Sequence, residues 1–384
     1  MTAPSHAFTR DRTTLVLYAA LGVFGALQVV PGLATPALRD ELGYGYTLAS
    51  MHVTAYAGLG VVAGLLAPRL DRALGRRAVL LLGLLGMAVG VAALTGGRTA
   101  PITLGAAALA GLLGTLIIVA VQSALSDHHG DQRAVAFAES NVVASVGSTA
   151  APLVVGAGAA ALGSWRWGAL ALAATGLLVA AAVRGRTVPA AAHHEQRADV
   201  GGRLPTTART GVGLLFTGVV LEWSISYWGA TYLREVVDLS RPAAVTAMTC
   251  FFGAMLVGRV AAGVLVRRRD PLALVAWGLV LAAVGVALHV ASTAVPAALT
   301  GLVLLGLGVS VVFPLGLALA VAGAPDRAAV VSSRCIVAGS AAVVLGPLLV
   351  GQLADAVGLR TALLLVPVAV VSGAVLLARY ARTR

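Results

Sequence analysis

Charge is scarce in this chain of 384 residues, 11% of which are Asp, Glu, Lys or Arg, so each charged group inside an apolar run invites a chemical reading. Four such groups occur: Glu139, Glu222, Arg259 and Arg334. Glu222 is the most informative. It lies in LEWSISYWGATYL, residues 221–233, beside Trp223, Ser224, Ser226, Tyr227 and Trp228. A carboxylate among hydroxyls and aromatic faces suits the holding of a small molecule or the exchange of a proton, and Gln28 and Gln122 add amide hydrogen-bonding groups in two other apolar runs. Bond-breaking chemistry has no comparable constellation. His52 and His289 are isolated in apolar runs, where hydrogen-bonded filler is the commoner role of a histidine, and His128-His129 sits in a loop. Cys250 and Cys335 have neither CxxC nor metal-ligand spacing, and a chain without lysine cannot form a Walker A loop. The reading is therefore a binding protein and not an enzyme, with no cofactor and no metal.

Helical geometry divides the stretch around Glu222 into two stripes. Glu222 and Ser226 share one face, with Gly229 behind them. Ser224, Trp228 and Tyr232 share another, about 160° away. A straight helix can present only one of these to a cavity, and Trp223 and Tyr227 lie between them.

The elements that must position these groups are membrane helices. The chain is 59% hydrophobic, with mean hydropathy +0.94, more apolar than a single globular core can bury. Twelve nearly charge-free stretches match the roughly 20 residues a helix needs to cross hydrocarbon. They run over 13–36, 47–68, 78–96, 101–125, 134–162, 165–183, 210–233, 243–266, 272–291, 297–321, 328–353 and 360–379. Their Ala, Gly and Leu content, without alternation, predicts helices and not a β-barrel. The first span is read as a mature helix, because Arg39, Asp40 and Glu41 follow it where a leader's cleavage site would be. All 27 basic residues are arginine, a pattern that fits the codon usage of a GC-rich bacterial genome. With the N-terminus inside, 19 arginines fall on the cytoplasmic side, six outside and two within spans. That asymmetry is the positive-inside bias, so it accounts for the net charge of +12 without a nucleic-acid partner. It predicts a multi-pass protein of the cell (inner) membrane with both termini cytoplasmic.

A shift of 195 residues aligns the two halves: AVGVA at 88–92 meets AVGVA at 283–287, PLVVG at 152–156 meets PLLVG at 347–351, and LRD at 38–40 meets LRE at 233–235. Six spans per repeat is an even number, so the halves run in the same direction. The expected organisation is all-α: a six-helix bundle over 1–183, a cytoplasmic linker over 184–209 that carries His193 and His194, and a second six-helix bundle over 210–384. With this parallel repeat the sequence resembles the major facilitator superfamily of secondary transporters. APRLDRALGRR at 67–77, between spans 2 and 3, is similar to that family's loop signature G-x-x-x-D-R-x-G-R-R, with Ala67 in place of a glycine and one extra residue before Gly75. The pattern Glu222, Ser224, Trp228, Tyr232, Leu233 is similar to a stretch in the fucose-permease-like branch.

Depth sharpens the reading. Glu222 lies twelve residues into its span, close to the midplane at about 1.5 Å per residue. A charge there costs roughly 2.5–3.5 kcal/mol on insertion scales, and sites of this architecture lie at that depth. The resemblance implies that spans 1, 4, 7 and 10 line a central cavity, which would bring Gln28 and Glu222 to one level and Gln122 near the cytoplasmic mouth. Glu139, Arg259 and Arg334 lie roughly 9–12 Å from the cytoplasmic edge and read as a gate. Because the family packs span 5 on span 8 and span 11 on span 2, the resemblance implies Glu139 with Arg259, and Arg334 with the Asp71, Arg72 and Arg76 end of span 2. Static pairing within each half is the alternative. The expected function is secondary active transport of a small molecule by alternating access in a monomer embedded in the bilayer, coupled to protons through the desolvated carboxylate of Glu222. Direct contact of Glu222 with a cationic substrate stays open. So do drug or metabolite efflux by antiport, sugar or polyol uptake by symport, and the non-transporting readings of a sensor or a membrane-embedded enzyme.

Overall fold

The computed structural model describes residues 8–186, 188–189 and 203–383, and every regular element among them is helical. Ten segments are long and apolar enough to cross a membrane. One of these, residues 100–162, is two helices joined by a 3-10 turn, and a further helix, Thr206–Glu235, spans 30 residues but is more polar than the ten. The rods are labelled α1 (Arg12–Leu42), α2 (Tyr46–Leu74), α3 (Arg76–Gly96), α4 (Ala100–His129), α5 (Arg133–Leu162) and α6 (Trp165–Arg184), then α7 (Thr206–Glu235), α8 (Arg241–Leu265), α9 (Pro271–Ala291), α10 (Val295–Ala322), α11 (Ala328–Val357) and α12 (Leu359–Thr383). The chain is thus a multi-pass helical membrane protein. α7 takes up the last residues of the expected linker, and His193 and His194 lie outside the described residues.

Local chemistry accounts for the ends of the rods. Asp11 accepts the Thr14 N–H at 2.8 Å to cap α1, and Ser164, Ser240 and Asp270 cap α6, α8 and α9 in the same way. Burial would raise the Asp11 carboxyl, but bonds from Thr14 and His128 outweigh it and hold it down to about 2. Gly163 and Gly358, which end α5 and α11, both have positive φ and are 195 residues apart. The same offset separates both ends of α3 from those of α9 and both ends of α5 from those of α11.

The repeat extends to packing. A Cβ on Gly111 of α4 would lie 2.0 Å from the Tyr56 carbonyl oxygen of α2, and one on Gly306 of α10 would lie 2.3 Å from the Phe251 carbonyl oxygen of α8. Each half therefore uses a glycine for the same close crossing. Two rods are interrupted near mid-length. α1 breaks at Val29, just ahead of Pro31, and α10 breaks at Ser310–Val311, just ahead of Pro314. A proline lacks the N–H that would continue the ladder, so the neighbouring carbonyls turn to other donors: Leu27 takes the Val29 N–H.

Between the halves, α5 packs on α8, α2 on α11, and α1 on α7. Among the described residues, the alternating direction of the rods places the start of α1, the end of α6, the start of α7 and the end of α12 on one face, called here the terminal face. The opposite side is the far face.

Candidate functional site

The halves are sealed to each other at the far face. Arg39 donates from Nε to Glu235 at 3.0 Å and lies 3.5 Å over the Tyr46 ring, while the Tyr46 hydroxyl donates to the other Glu235 oxygen at 2.5 Å. Asp355 accepts the N–H groups of Tyr46 and Thr47, both at 2.8 Å, and so caps α2 from the other half. Arg241 donates to Asp40 at 2.7 Å and lies 3.8 Å from Glu41, which is itself held by Arg166. Deeper in, the Tyr227 hydroxyl donates to the Ala49 carbonyl across the same boundary. None of Arg39, Asp40, Glu41, Glu235, Arg241 or Asp355 was given a site or gate role from the sequence. The signal for some of them was present in the matched LRD and LRE that end spans 1 and 7, an acid and a base at equivalent places.

The terminal face is open. From Val260 onward α8 is mostly exposed, as are the first residues of α5 and the Ser333–Val337 stretch of α11 apart from Cys335. The wedge between the halves closes at a crossing of α1 and α7, where a Cβ on Gly32 would lie 3.0 Å from the carbonyl oxygen of Ser226 and from the Cα of Tyr227. Gln28 and Glu222 each lie one helical turn before that crossing, on its open side, and both are partly exposed. Proximity in depth was expected for this pair, and the crossing supplies its physical basis. Gln122 is exposed toward the terminal face.

Of the two stripes of α7, the one bearing Glu222 and Ser226 is partly exposed, together with Trp223. The other is packing. Ser224, Trp228 and Tyr232 are 0–1% exposed, and the Trp228 indole N–H donates to the Pro347 carbonyl at 2.9 Å. α7 stays continuous through Gly229, which faces the Met248 sulfur, so no bend turns the second stripe inward. Trp228 and Tyr227, expected as substrate contacts, are instead buried parts of the helix packing and the far-face seal. The residues that carry the fucose-permease-like resemblance are largely this packing stripe.

Glu222 has a partner that sequence reasoning did not assign to it. Arg259 Nη2 donates to Glu222 Oε1 at 3.1 Å, and Nη1 donates to Ser145 Oγ of α5 at 2.8 Å, so one guanidinium joins a carboxylate of its own half to a hydroxyl of the other. Glu139 and Arg259 are not paired with each other here; the expected gate would close the cytoplasmic side in the outward-open state and break in the inward-open one, so it stays a proposal for the other conformation. The Arg259 side chain extends away from the terminal face toward mid-depth, where the nearest carboxylate is Glu222. Glu139 is satisfied elsewhere: Arg10 donates to both of its oxygens at 2.9 and 2.6 Å, and the Tyr18 hydroxyl donates at 3.2 Å. The bond from Arg259 corrects the picture of Glu222 as a solitary desolvated carboxylate. Asn141, exposed on α5 one turn before Ser145, is a further polar group at the open side.

The loop signature proves to be a clamp within the first half. Arg76, 5% exposed, donates to Asp127 at the end of α4 at 2.6 Å, to Asp71 at the end of α2 at 3.3 Å, and to the Pro189 carbonyl at 3.1 Å. Asp71 is engaged by Arg76 here, and Arg334, expected near it when the cytoplasmic side is closed, is exposed on α11. Arg72 donates to the Pro68 carbonyl of its own helix at 3.3 Å. His52 is held by backbone carbonyls of α2 and by Thr103, and His289 by the Ala298 carbonyl, so both are packing groups.

The profile of the Major Facilitator Superfamily matches residues 16–335 and 246–384. A curated relative, the uncharacterised transporter y4wD of Sinorhizobium fredii, is 31% identical over 168 residues, and the match spans 44% of each protein. A solved bacterial homologue of the human lysosomal transporter Spinster, in an inward-facing and occupied conformation, superposes with a TM-score of 0.79 at 15% identity over 98% of both chains. The nucleoside transporter NupG superposes with a TM-score of 0.74 at 12% identity, over 97% of this chain and 99% of that one. At these identities the two structures speak to the fold alone.

Proposed function

The chain belongs to the major facilitator superfamily, and from that premise we propose that it is a secondary active transporter in which two six-helix bundles rock about the α1–α7 crossing to expose one central site to each face in turn. The observation that carries this reading is the Glu222–Arg259–Ser145 bridge, at mid-depth on the open side of that crossing, with the far face closed by ion pairs between the halves. Glu222 and Arg259 are the core of the site, with Gln28, Trp223 and Ser226 beside them and Gln122 and Asn141 nearer the mouth. The terminal face is the cytoplasmic one, because it gathers 19 of the 27 arginines, and the membrane is the cell membrane. One chain supplies every wall of the pathway, which supports a monomer as the working unit.

Coupling to protons is proposed through Glu222, the carboxylate at the site. Because it already faces Arg259, its charge is balanced when the site is empty, and a change in either partner alters the balance between the two conformations. Proteoliposomes with an imposed pH gradient test the reading. The wild-type protein should accumulate solute against its gradient, and Glu222→Gln should abolish accumulation while retaining downhill exchange. Accumulation undiminished in Glu222→Gln would remove Glu222 from the coupling mechanism.

A further inference from the structure

The geometry of the Glu222–Arg259 pair constrains what the site can carry, an inference that rests on reading the cavity as a transport site. The contact is a single hydrogen bond, Nη2 to Oε1 at 3.1 Å, and a second guanidinium nitrogen is spent on Ser145. A guanidinium has five N–H groups. The Arg259 side chain is 30% exposed and Glu222 17%, so donors remain that reach the cavity.

The two partners respond differently to a competing charge. A carboxylate is discharged by one proton, whereas arginine stays charged at any physiological pH. A cationic solute that took Glu222 would leave Arg259 uncompensated at mid-depth, with no means of neutralisation. An anionic solute that took Arg259 would leave Glu222, which a proton neutralises. We propose that the substrate is a small organic carboxylate, bound through Arg259 in competition with Glu222, and that one proton enters on Glu222 with each anion. The site is then neutral in both states, as Glu222 carboxylate with Arg259 when empty, and as protonated Glu222 with Arg259 and the bound carboxylate when loaded. The proton comes from the solution that faces the cavity and leaves to the solution on the other side, so each cycle moves one anion and one proton and no net charge. Arg259 also holds Ser145 of the opposite half, and an anion that draws the guanidinium away loosens that link at the same moment.

Glu222 is the group that takes up the proton in this scheme. On the elements packed against α7, the ionisable groups outside the far-face seal and the helix ends are Arg259 and Cys250 on α8, Arg334 and Cys335 on α11, Tyr18 on α1 and Tyr380 on α12, and α10 has none. Of these, Arg259 is the one shown to bond Glu222 among the described residues.

Thermal unfolding of the purified full-length chain with pyruvate tests the proposal. Pyruvate is a strong enough acid to remain ionised between about pH 5 and about pH 8, so any pH dependence reports on the protein. In Glu222→Gln, pyruvate should raise the melting temperature saturably at about pH 7.5, with an affinity about tenfold or more above that of the wild type. The wild type should gain affinity as the pH falls to about 5.5 while the variant does not change. The neutral amide of pyruvate should have no effect. Adding Arg259→Gln should abolish the shift and Arg259→Lys should retain a weaker one, which separates loss of the anion site from loss of folding. The proposal is overturned if Glu222→Gln binds no tighter than the wild type, or if binding survives in Glu222→Gln/Arg259→Gln. Uphill transport of a neutral or cationic solute that persists in Arg259→Gln overturns the anion assignment and leaves the transporter reading standing. Binding as expected, with no flux of pyruvate into proteoliposomes, sustains the anion site and overturns the transporter reading.

Discussion

Glu222 and Arg259 illustrate how much a single side-chain direction decides. From the sequence each looks like a lone charge in hydrocarbon, one at mid-depth and one near an edge. Arginine has a long, flexible stem, and its head can lie several ångströms from the level of its Cα. Depth counted along the helix therefore placed Arg259 in a gate, whereas its guanidinium meets Glu222. Arg76 makes a related point at the other end of the first half. It is nearly buried and serves two carboxylates and a carbonyl, so Arg76→Gln is expected to cost roughly 3 kcal/mol by removing the cation that Asp127 and Asp71 share. A fall of several degrees in melting temperature, without a change in substrate preference, would be its signature. Tyr227→Phe should act differently. It removes one cross-half hydrogen bond worth about 1 kcal/mol and should weaken the far-face seal with little change in overall stability. Accessibility of far-face cysteine probes to a membrane-impermeant thiol reagent would register that loss.

At the level of elements, the repeat in the sequence anticipated a repeat in packing. Gly111 against Tyr56 and Gly306 against Phe251 are equivalent crossings, and each leaves no room for a Cβ. Gly111→Val and Gly306→Val should each destabilise the protein by about 1–3 kcal/mol through overpacking against backbone, which cannot move aside as a flexible side chain can. Equal losses in the two halves would support the equivalence; a neutral Gly306→Val would contradict the close crossing. The spans themselves were legible because their signal is local. Hydropathy and length mark a helix that crosses hydrocarbon, and the ends of α3, α5 and α6 fall within a few residues of their expected positions. The breaks in α1 and α10 depend on how prolines sit against neighbouring helices, and hydropathy does not register them.

For the whole molecule, the far-face seal is what joins the two halves on that side. Glu235 joins Arg39 and Tyr46 and is about three-quarters shielded, so Glu235→Gln should shift the population toward far-face opening by roughly fivefold or more. Electron-electron distance measurements between spin labels at Arg98 and Thr293, on the far-face loops of the two halves, should show a longer component in Glu235→Gln. Distances identical to the wild type would mean that Arg241 and Asp355 hold the seal without it. Composition, the twelve runs, the arginine asymmetry and the shift of 195 determined the class, the helical repeat and the level of Gln28 and Glu222, because each follows from transfer of single segments into lipid or from the chain's own periodicity. Which stripe of α7 meets the cavity, who pairs with Arg259 and Glu139, and which face is closed were decided only by the tertiary structure. Those outcomes depend on contacts between residues up to 309 apart along the chain, as Asp355 and Tyr46 are, and a buried charge takes whichever partner the packed helices bring within reach.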